Sequence, residues 1–186
     1  SANGVLSVAA VGQLNYETTT TFAVTVQVAD DGTGLMTDSA TITVNITDAN
    51  DLPVIAAQTF TIAENSANAT LVDTVVATDE DADTITYGEI GGTGLAVFAI
   101  DSGTAAITVQ DTAQLDYETT TSFTYQVSTF DGTGLSNNTM TINLTDVNEA
   151  PVIAAQTFTI AENSIDTTPV DTVVATDVDA GKTLTY

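Results

Sequence analysis

Apolar and polar side chains alternate with a period of two along most of this chain. Phe22, Val24, Val26 and Val28 are interleaved with Ala23, Thr25 and Gln27. Ile42, Val44 and Ile46 alternate with Thr41, Thr43, Asn45 and Thr47, and Phe123, Tyr125 and Val127 repeat the first pattern. Successive side chains of a strand point to opposite faces, so each run predicts a strand with one buried and one wet face. The abundance of threonine and valine agrees, because β-branched side chains suit a pleated surface. No window carries an apolar stripe of helical period. Turn signals separate the runs: Asp31-Gly32-Thr33-Gly34, Gly91-Gly92-Thr93-Gly94 and Asp131-Gly132-Thr133-Gly134. About seven short strands at that spacing predict an all-β sandwich of two antiparallel sheets.

The pattern is itself repeated. The block PVIAAQTFTIAENS at Pro53 to Ser66 recurs unchanged at Pro151 to Ser164, an offset of 151 − 53 = 98, and VDTVVATD at Val72 to Asp79 recurs at Val170 to Asp177 with the same offset. Leu14-Asn15-Tyr16-Glu17 returns as Leu115-Asp116-Tyr117-Glu118, and Asp48-Ala49-Asn50-Asp51-Leu52-Pro53 as Asp146-Val147-Asn148-Glu149-Ala150-Pro151. The unit is therefore about 98 residues long. Residues 1–51 form the back part of one repeat, 52–149 a whole repeat, and 150–186 the front part of the next.

Charge changes the picture of what such a unit does. Of 186 residues 25 are acidic and one, Lys182, is basic, for a net charge of −24. Nucleic acid and anionic membrane surfaces are poor partners on that balance. Hydrophobic residues still make up 43% of the chain, too many for an acidic disordered tail, so the charge sits on a folded protein. Cysteine and histidine are absent, which removes disulfides, zinc sites of the usual kind and every catalytic triad that uses imidazole. A ligand set made only of oxygen favours calcium over transition metals.

In these motifs and their order the chain resembles cadherin repeats. Ala63-Glu64-Asn65 is similar to the family's P-E-N motif, Ala77-Thr78-Asp79-Glu80-Asp81 to A-x-D-x-D, Ile85-Thr86-Tyr87 to I-x-Y, and Leu115-Asp116-Tyr117-Glu118 to L-D-R-E. Asp131-Gly132 matches the aspartate that ends the penultimate strand. Asp146 to Pro151 resembles the linker D-x-N-D-N-x-P with one residue deleted. The resemblance covers essentially the whole chain. It implies immunoglobulin-like Greek-key sandwiches in tandem, with Ca2+ bound where one repeat joins the next.

The resemblance also implies the ligands. At the first junction they are Asn15, Glu17, Asp48, Asp51, Asp79, Asp81 and Asp131; at the second, Glu64, Asp116, Glu118, Asp146, Glu149, Asp177 and Asp179. Asn15 stands where Asp116 does, so the first junction has one carboxylate fewer, and the deleted linker residue bears on the number of ions. Two like charges 5 Å apart repel by about 0.8 kcal/mol even in water. Gathered carboxylates therefore call for counter-ions, and calcium accepts six to eight oxygens at variable geometry.

Other motifs lead nowhere. Asp79-Glu80-Asp81-Ala82-Asp83 opens like an EF-hand loop, but Thr84 replaces the glycine and Ile90 the terminal glutamate. The Gly-Thr-Gly turns lack the lysine and helix of a phosphate loop. Tyr16 and Tyr117 read as packing residues. An enzyme is not expected, because the acids follow a linker pattern and no tryptophan is present to rim a sugar cleft. The leading expectation is a calcium-stiffened stalk of an extracellular, bacterial cell-surface adhesin. Its partners are neighbouring repeats of the same chain or identical subunits, with a homophilic or host-surface ligand as a further candidate. Residues 1 to 47 and 151 to 186 are each part of a sandwich and are expected to take strands from outside this stretch. Those strands come either from a longer continuous chain or, as an alternative, from a second copy in a head-to-tail filament.

Overall fold

The computed structural model describes residues 4–186. It is all-β apart from two short 3-10 turns, and among the described residues no helix is long and apolar enough to cross a membrane. The chain divides into two compact units built from interleaved segments. The first comprises Ser1–Ile55, Ala77–Ile85 and Thr129–Ser136, and the second Ala56–Val76, Thr86–Ser128 and Asn137–Tyr186.

The first unit contains the hairpin of β1 (Thr21–Ala29) and β2 (Thr37–Asn45), in register from Thr21 opposite Asn45 to Ala29 opposite Thr37. Asp30 makes the turn, its Oδ1 accepting from the backbone N–H of Gly32 and of Met36 at 3.2 and 3.0 Å. The alternation expected of β1 is present, with Phe22, Val24 and Val26 half-buried, but β2 is exposed throughout. Among the described residues before Pro53 none is fully buried. A two-stranded sheet has one face to cover and nothing in the pair itself to cover it. The short strands β3 (Val54–Ile55) and β6 (Ala77–Thr78) pair antiparallel in the same unit.

The second unit carries the main core. Its larger sheet has the order β4 (Thr59–Ala63), β11 (Leu135–Thr145), β10 (Ser122–Phe130), β7 (Thr86–Gly91), with the Thr129–Ser136 tip of the β10–β11 pair assigned to the first unit. The smaller sheet runs β5 (Leu71–Thr74), β9 (Ala106–Val109), β8 (Phe98–Ile100). β4 lies parallel to β11, Thr59 opposite Thr141. That crossing between non-consecutive strands is how a Greek-key sandwich closes. Along β10 the alternation is strict, with Phe123, Tyr125 and Val127 buried, and β11 answers with Met140, Ile142 and Leu144. Phe98 of β8 is wholly buried and meets Phe123 and Tyr125 edge-on, at ring-centre distances of 5.5 and 6.2 Å. The Tyr125 hydroxyl donates to Glu89, and burial together with that bond holds the phenol neutral far beyond its ordinary range.

The turn before β8 depends on one glycine. Gly92 has φ +98, and a Cβ there would lie 2.3 Å from the carbonyl oxygen of Thr124. Only glycine fits both the left-handed backbone and that approach.

The repeated blocks do not fold alike. Residues 151–164, identical to 53–66, form no strand of their own beyond a bridge between Val152 and Thr176. That bridge is the counterpart of Val54 opposite Thr78, 98 residues earlier. Local hydrogen bonds are preserved as well: Gln58 spans to the backbone of Val76, and Gln156 to that of Val174. Missing from the second copy, among the described residues, is the parallel neighbour that β11 provides for β4.

Candidate metal centres

Two groups of carboxylates are drawn together by the same local device. In the first unit Asp79 turns its Oδ1 back on the chain to accept from the N–H of Asp81 at 3.0 Å and of Asp83 at 3.2 Å. Such an aspartate turn curls the backbone, so carboxylates at alternate positions converge instead of pointing to opposite sides. The linker then closes on this loop, the Asp51 N–H donating to Asp81 Oδ2 at 2.6 Å. The outcome is two overlapping triads, Glu17 with Asp48 and Asp81, and Asp79 with Asp81 and Asp83, each offering oxygens within 4.8 Å of one another.

The second unit repeats the arrangement. Asp177 Oδ1 accepts from the Asp179 N–H at 3.0 Å, and the Glu149 N–H donates to Asp179 Oδ2 at 3.0 Å. Glu64, buried at the end of β4, ties the linker to the Leu115–Glu118 turn: its two oxygens accept from the N–H groups of Val147 and Tyr117, both at 2.7 Å. Here the triads are Glu64 with Glu118 and Asp146, and Glu118 with Glu149 and Asp179.

Four carboxylate oxygens in these groups are buried and have no hydrogen-bond donor: Asp79 Oδ2, Asp81 Oδ1, Glu149 Oε2 and Asp179 Oδ1. A buried carboxylate oxygen without a donor is costly unless a cation lies against it. Calcium bonds its oxygens at about 2.3–2.6 Å, which sets ligand oxygens up to roughly 5 Å apart. The triads fit that spacing, and their oxygen-only chemistry fits a hard cation.

The other sequence-predicted ligands lie beside the triads. Asp51 contributes its backbone N–H, as described. Asn15 and Asp116 have the same turn-closing bond, accepting from the N–H of Thr18 at 2.7 Å and of Thr119 at 2.9 Å, and Asn15 also donates to Glu80 at 2.6 Å. Asp131 caps its hairpin, its Oδ1 taking the N–H groups of Thr133 and Gly134 at 2.6 Å each, while Asn50 donates to its Oδ2 at 3.1 Å. Asp177 holds the second loop in shape. Asp83 was not among the residues expected to ligate, although the alternate spacing Asp79, Asp81, Asp83 is plain in the sequence. The spacing fails the EF-hand pattern, but a shorter turn uses it.

Crowding of charge is visible in the acidities. Asp51 is held above the ordinary 3.8 by desolvation and then by Glu80, Asp81, Asp79 and Asp48; Asp83 by desolvation and then by Asp79, Asp81, Asp131 and Asp48. Glu17 has a backbone hydrogen bond that lowers it, outweighed by desolvation and the charges of Asp81, Asp48 and Asp51. For Glu118, desolvation, with Glu64, Glu149 and Asp146, outweighs a backbone hydrogen bond. A carboxyl whose folded pKa is raised binds protons more tightly in the native state, so its effect favours folding as pH falls through the raised value. Asp131, lowered by the N–H groups of Gly134 and Thr133, works in the opposite direction only below 3.8. Metal-free protein should therefore gain melting temperature as the pH falls from neutrality toward the raised carboxylate range, before Asp101 and Asp131, both lowered, count against it below 3.8. Calorimetry in chelator that found a steady fall on acidification would rule this out.

Comparison with known proteins agrees with this architecture. Residues 50–145 match the family model described as Bacterial Ig domain. Human Protocadherin Fat 1 is 35% identical over 160 residues, which covers 81% of this chain and 3% of that protein. Mouse Cadherin EGF LAG seven-pass G-type receptor 2 is 32% identical over an alignment of 191 residues, covering 98% of this chain and 6% of the receptor. The chain thus spans only a small part of these relatives. Among solved structures, Protocadherin Gamma B7 extracellular cadherin domains 1-4 superpose with a TM-score of 0.64 at 26% identity, over 90% of this chain and 43% of that one. Mouse Cadherin-23 EC22-24 gives 0.59 at 26% identity, over 90% and 56%.

Proposed function

The chain belongs to the bacterial Ig-domain family and its repeats are cadherin-like; from that premise we propose that it is an extracellular, adhesive repeat module whose linkers are stiffened by calcium. The repeats of the proposal are 52–149, with 1–51 and 150–186 belonging to its neighbours. The observation that carries the reading is the set of donorless buried oxygens on Asp79, Asp81, Glu149 and Asp179. They occur at both linkers, with Asp81 and Asp179 98 residues apart and each held by a linker N–H.

Cadherin domains in general bind calcium, and the family and fold are in general not enzymatic. When bound, calcium neutralises the gathered carboxylates and fixes the linker to the loops it touches. Glu17, Asp48, Asp81, Asp79 and Asp83 hold it at the first linker; Glu64, Glu118, Asp146, Glu149 and Asp179 at the second. Asp51, Asp116, Asp131, Asp177 and Asn15 position these groups through the backbone. The function is then mechanical, the transmission of bending stiffness from one repeat to the next.

Small-angle scattering on the wild type and on an Asp79→Ala, Asp81→Ala double variant tests it. In calcium the wild type should give an extended, well-defined profile, and the variant a broader, shorter distribution of distances with an unchanged far-ultraviolet spectrum. A variant with the wild-type profile would mean that apolar contacts hold the linker without ions.

A further inference from the structure

One copy of the repeated block is seated on a sheet and shows what the other lacks. In the first copy β4 lies parallel to β11, with Thr59 opposite Thr141 and Ile62 opposite Leu144. The Thr141 N–H donates to the Gln58 carbonyl at 2.9 Å and the Glu64 N–H to that of Thr145 at 3.1 Å, so the contact is fastened at both ends. Phe60 and Ile62 are buried by it, as are Met140, Ile142 and Leu144.

Each half of that contact is present a second time without the other. Residues 42–47, ITVNIT, are the counterparts of 140–145, MTINLT, 98 residues apart. The two hairpins are tied in the same way: the Ile46 N–H donates to the Thr20 carbonyl at 2.8 Å, and the Leu144 N–H to that of Thr121 at 2.9 Å. Yet among the described residues β2 has a neighbour on one side only, and Ile42 and Val44 are exposed where Met140 and Ile142 are buried. The apolar face of the hairpin is an open cleft lined by Leu6, Val8, Leu14, Phe22, Val24 and Val44. The other half is the segment 157–161, TFTIA, identical to β4. Its flank is held as in the first copy, by the Val152–Thr176 bridge and the Gln156–Val174 bonds, but the segment is in no strand and Ile160 is exposed.

We propose that these halves meet between molecules: residues 157–161 of a second copy of this chain add as a parallel strand to the open edge of β2, Thr157 opposite Thr43 and Ile160 opposite Ile46, with Phe158 and Ile160 covering the cleft. A strand edge with unpaired N–H and C=O groups is a template for an added strand. Register is fixed, because a slip of one residue turns Phe158 and Ile160 out to water. Charge favours this route over other self-contacts. A chain of net charge −24 repels its copies, but residues 151–161 and 39–47 contain no charged side chain, so these two segments come together without burying a carboxylate. The contact joins unlike surfaces, which leaves a donor segment and an open edge for further copies, head to tail. None of the calcium ligands proposed above lies in either segment, so the inference stands apart from the reading of the linkers.

Molar mass against concentration, measured by sedimentation of the full chain in salt that screens its charge, tests this. Val44→Asp spoils the edge and Ile160→Asp the donor; both positions are exposed, so the core of the second unit is untouched. The wild type should grow beyond the monomer as its concentration rises. Each variant alone should stay monomeric, and an equal mixture of the two should give a dimer and nothing larger, because Ile160→Asp keeps its edge and Val44→Asp its donor. Cysteine reads the register. The chain has none of its own, and Thr43→Cys in one molecule with Thr157→Cys in another should form a disulfide, whereas Thr37→Cys with Thr157→Cys should not. A wild type that stays monomeric, oligomers that survive either aspartate variant, a mixture that fails to pair, or equal disulfide yields from Thr37→Cys and Thr43→Cys would overturn the inference.

Discussion

Withdrawing calcium with EDTA should lower the midpoint of thermal unfolding by on the order of 10 °C. Extracellular calcium modules have dissociation constants of about 10⁻⁴ to 10⁻³ M. At a free concentration one hundred times the constant, a site that exists only in the folded state adds about 2.7 kcal/mol. One kcal/mol shifts the midpoint of a domain of this size by about 4–8 °C. The shift should be much smaller with magnesium, which dehydrates reluctantly and demands near-octahedral geometry. Asp179→Ala should lose most of the increment from the second linker, since it removes both the donorless Oδ1 and the oxygen that holds the Glu149 N–H. Identical melting curves in calcium and in EDTA would remove the proposed function.

Truncating Phe98 to alanine should destabilise the protein by about 3–5 kcal/mol, independently of calcium. Phe98 has no exposed surface and meets Phe123 and Tyr125 edge-on, so its removal loses both burial and ring contacts. Domains of this kind have about 5–15 kcal/mol in all, and the variant should be close to its limit. Urea denaturation with and without calcium measures the loss. A value below about 1 kcal/mol would show that the site collapses around the missing ring. A loss seen only in EDTA would show that the core and the linkers are not separate sources of stability.

Strand periodicity was legible because it records burial directly. Phe123, Tyr125 and Val127 alternate in the sequence and are buried in the structure. The 98-residue offset likewise foretold paired features, among them the bridge Val152–Thr176 beside Val54 opposite Thr78. The aspartate loops were legible too, since an aspartate that bonds the N–H two residues on does so through local geometry alone. What sequence spacing could not assign is which carboxylates share an oxygen cluster. Asp116 and Asn15 look like ligands in the motif, and in the structure both close a turn. Asp83 was passed over, and it joins a triad.

The clearest division between the two sources is the block PVIAAQTFTIAENS. Its residues alone determined the turn at Asn65 and Asn163, where φ is 57 and 64 in the two copies, and the glutamine bridge that follows Ile55 and Ile153. These features need only neighbours within about twenty residues. Whether the block is paired as a strand is a matter of tertiary structure, and among the described residues only the first copy has its partner beside it. Ile62 lies parallel to β11 and is 8% exposed, whereas the chemically identical Ile160 is 50% exposed and outside any strand. A β-strand has no hydrogen bonds of its own, unlike a helix, and its backbone groups are satisfied only by a partner distant in the chain. The same amino acids therefore read as strand or as coil according to whether that partner is beside them.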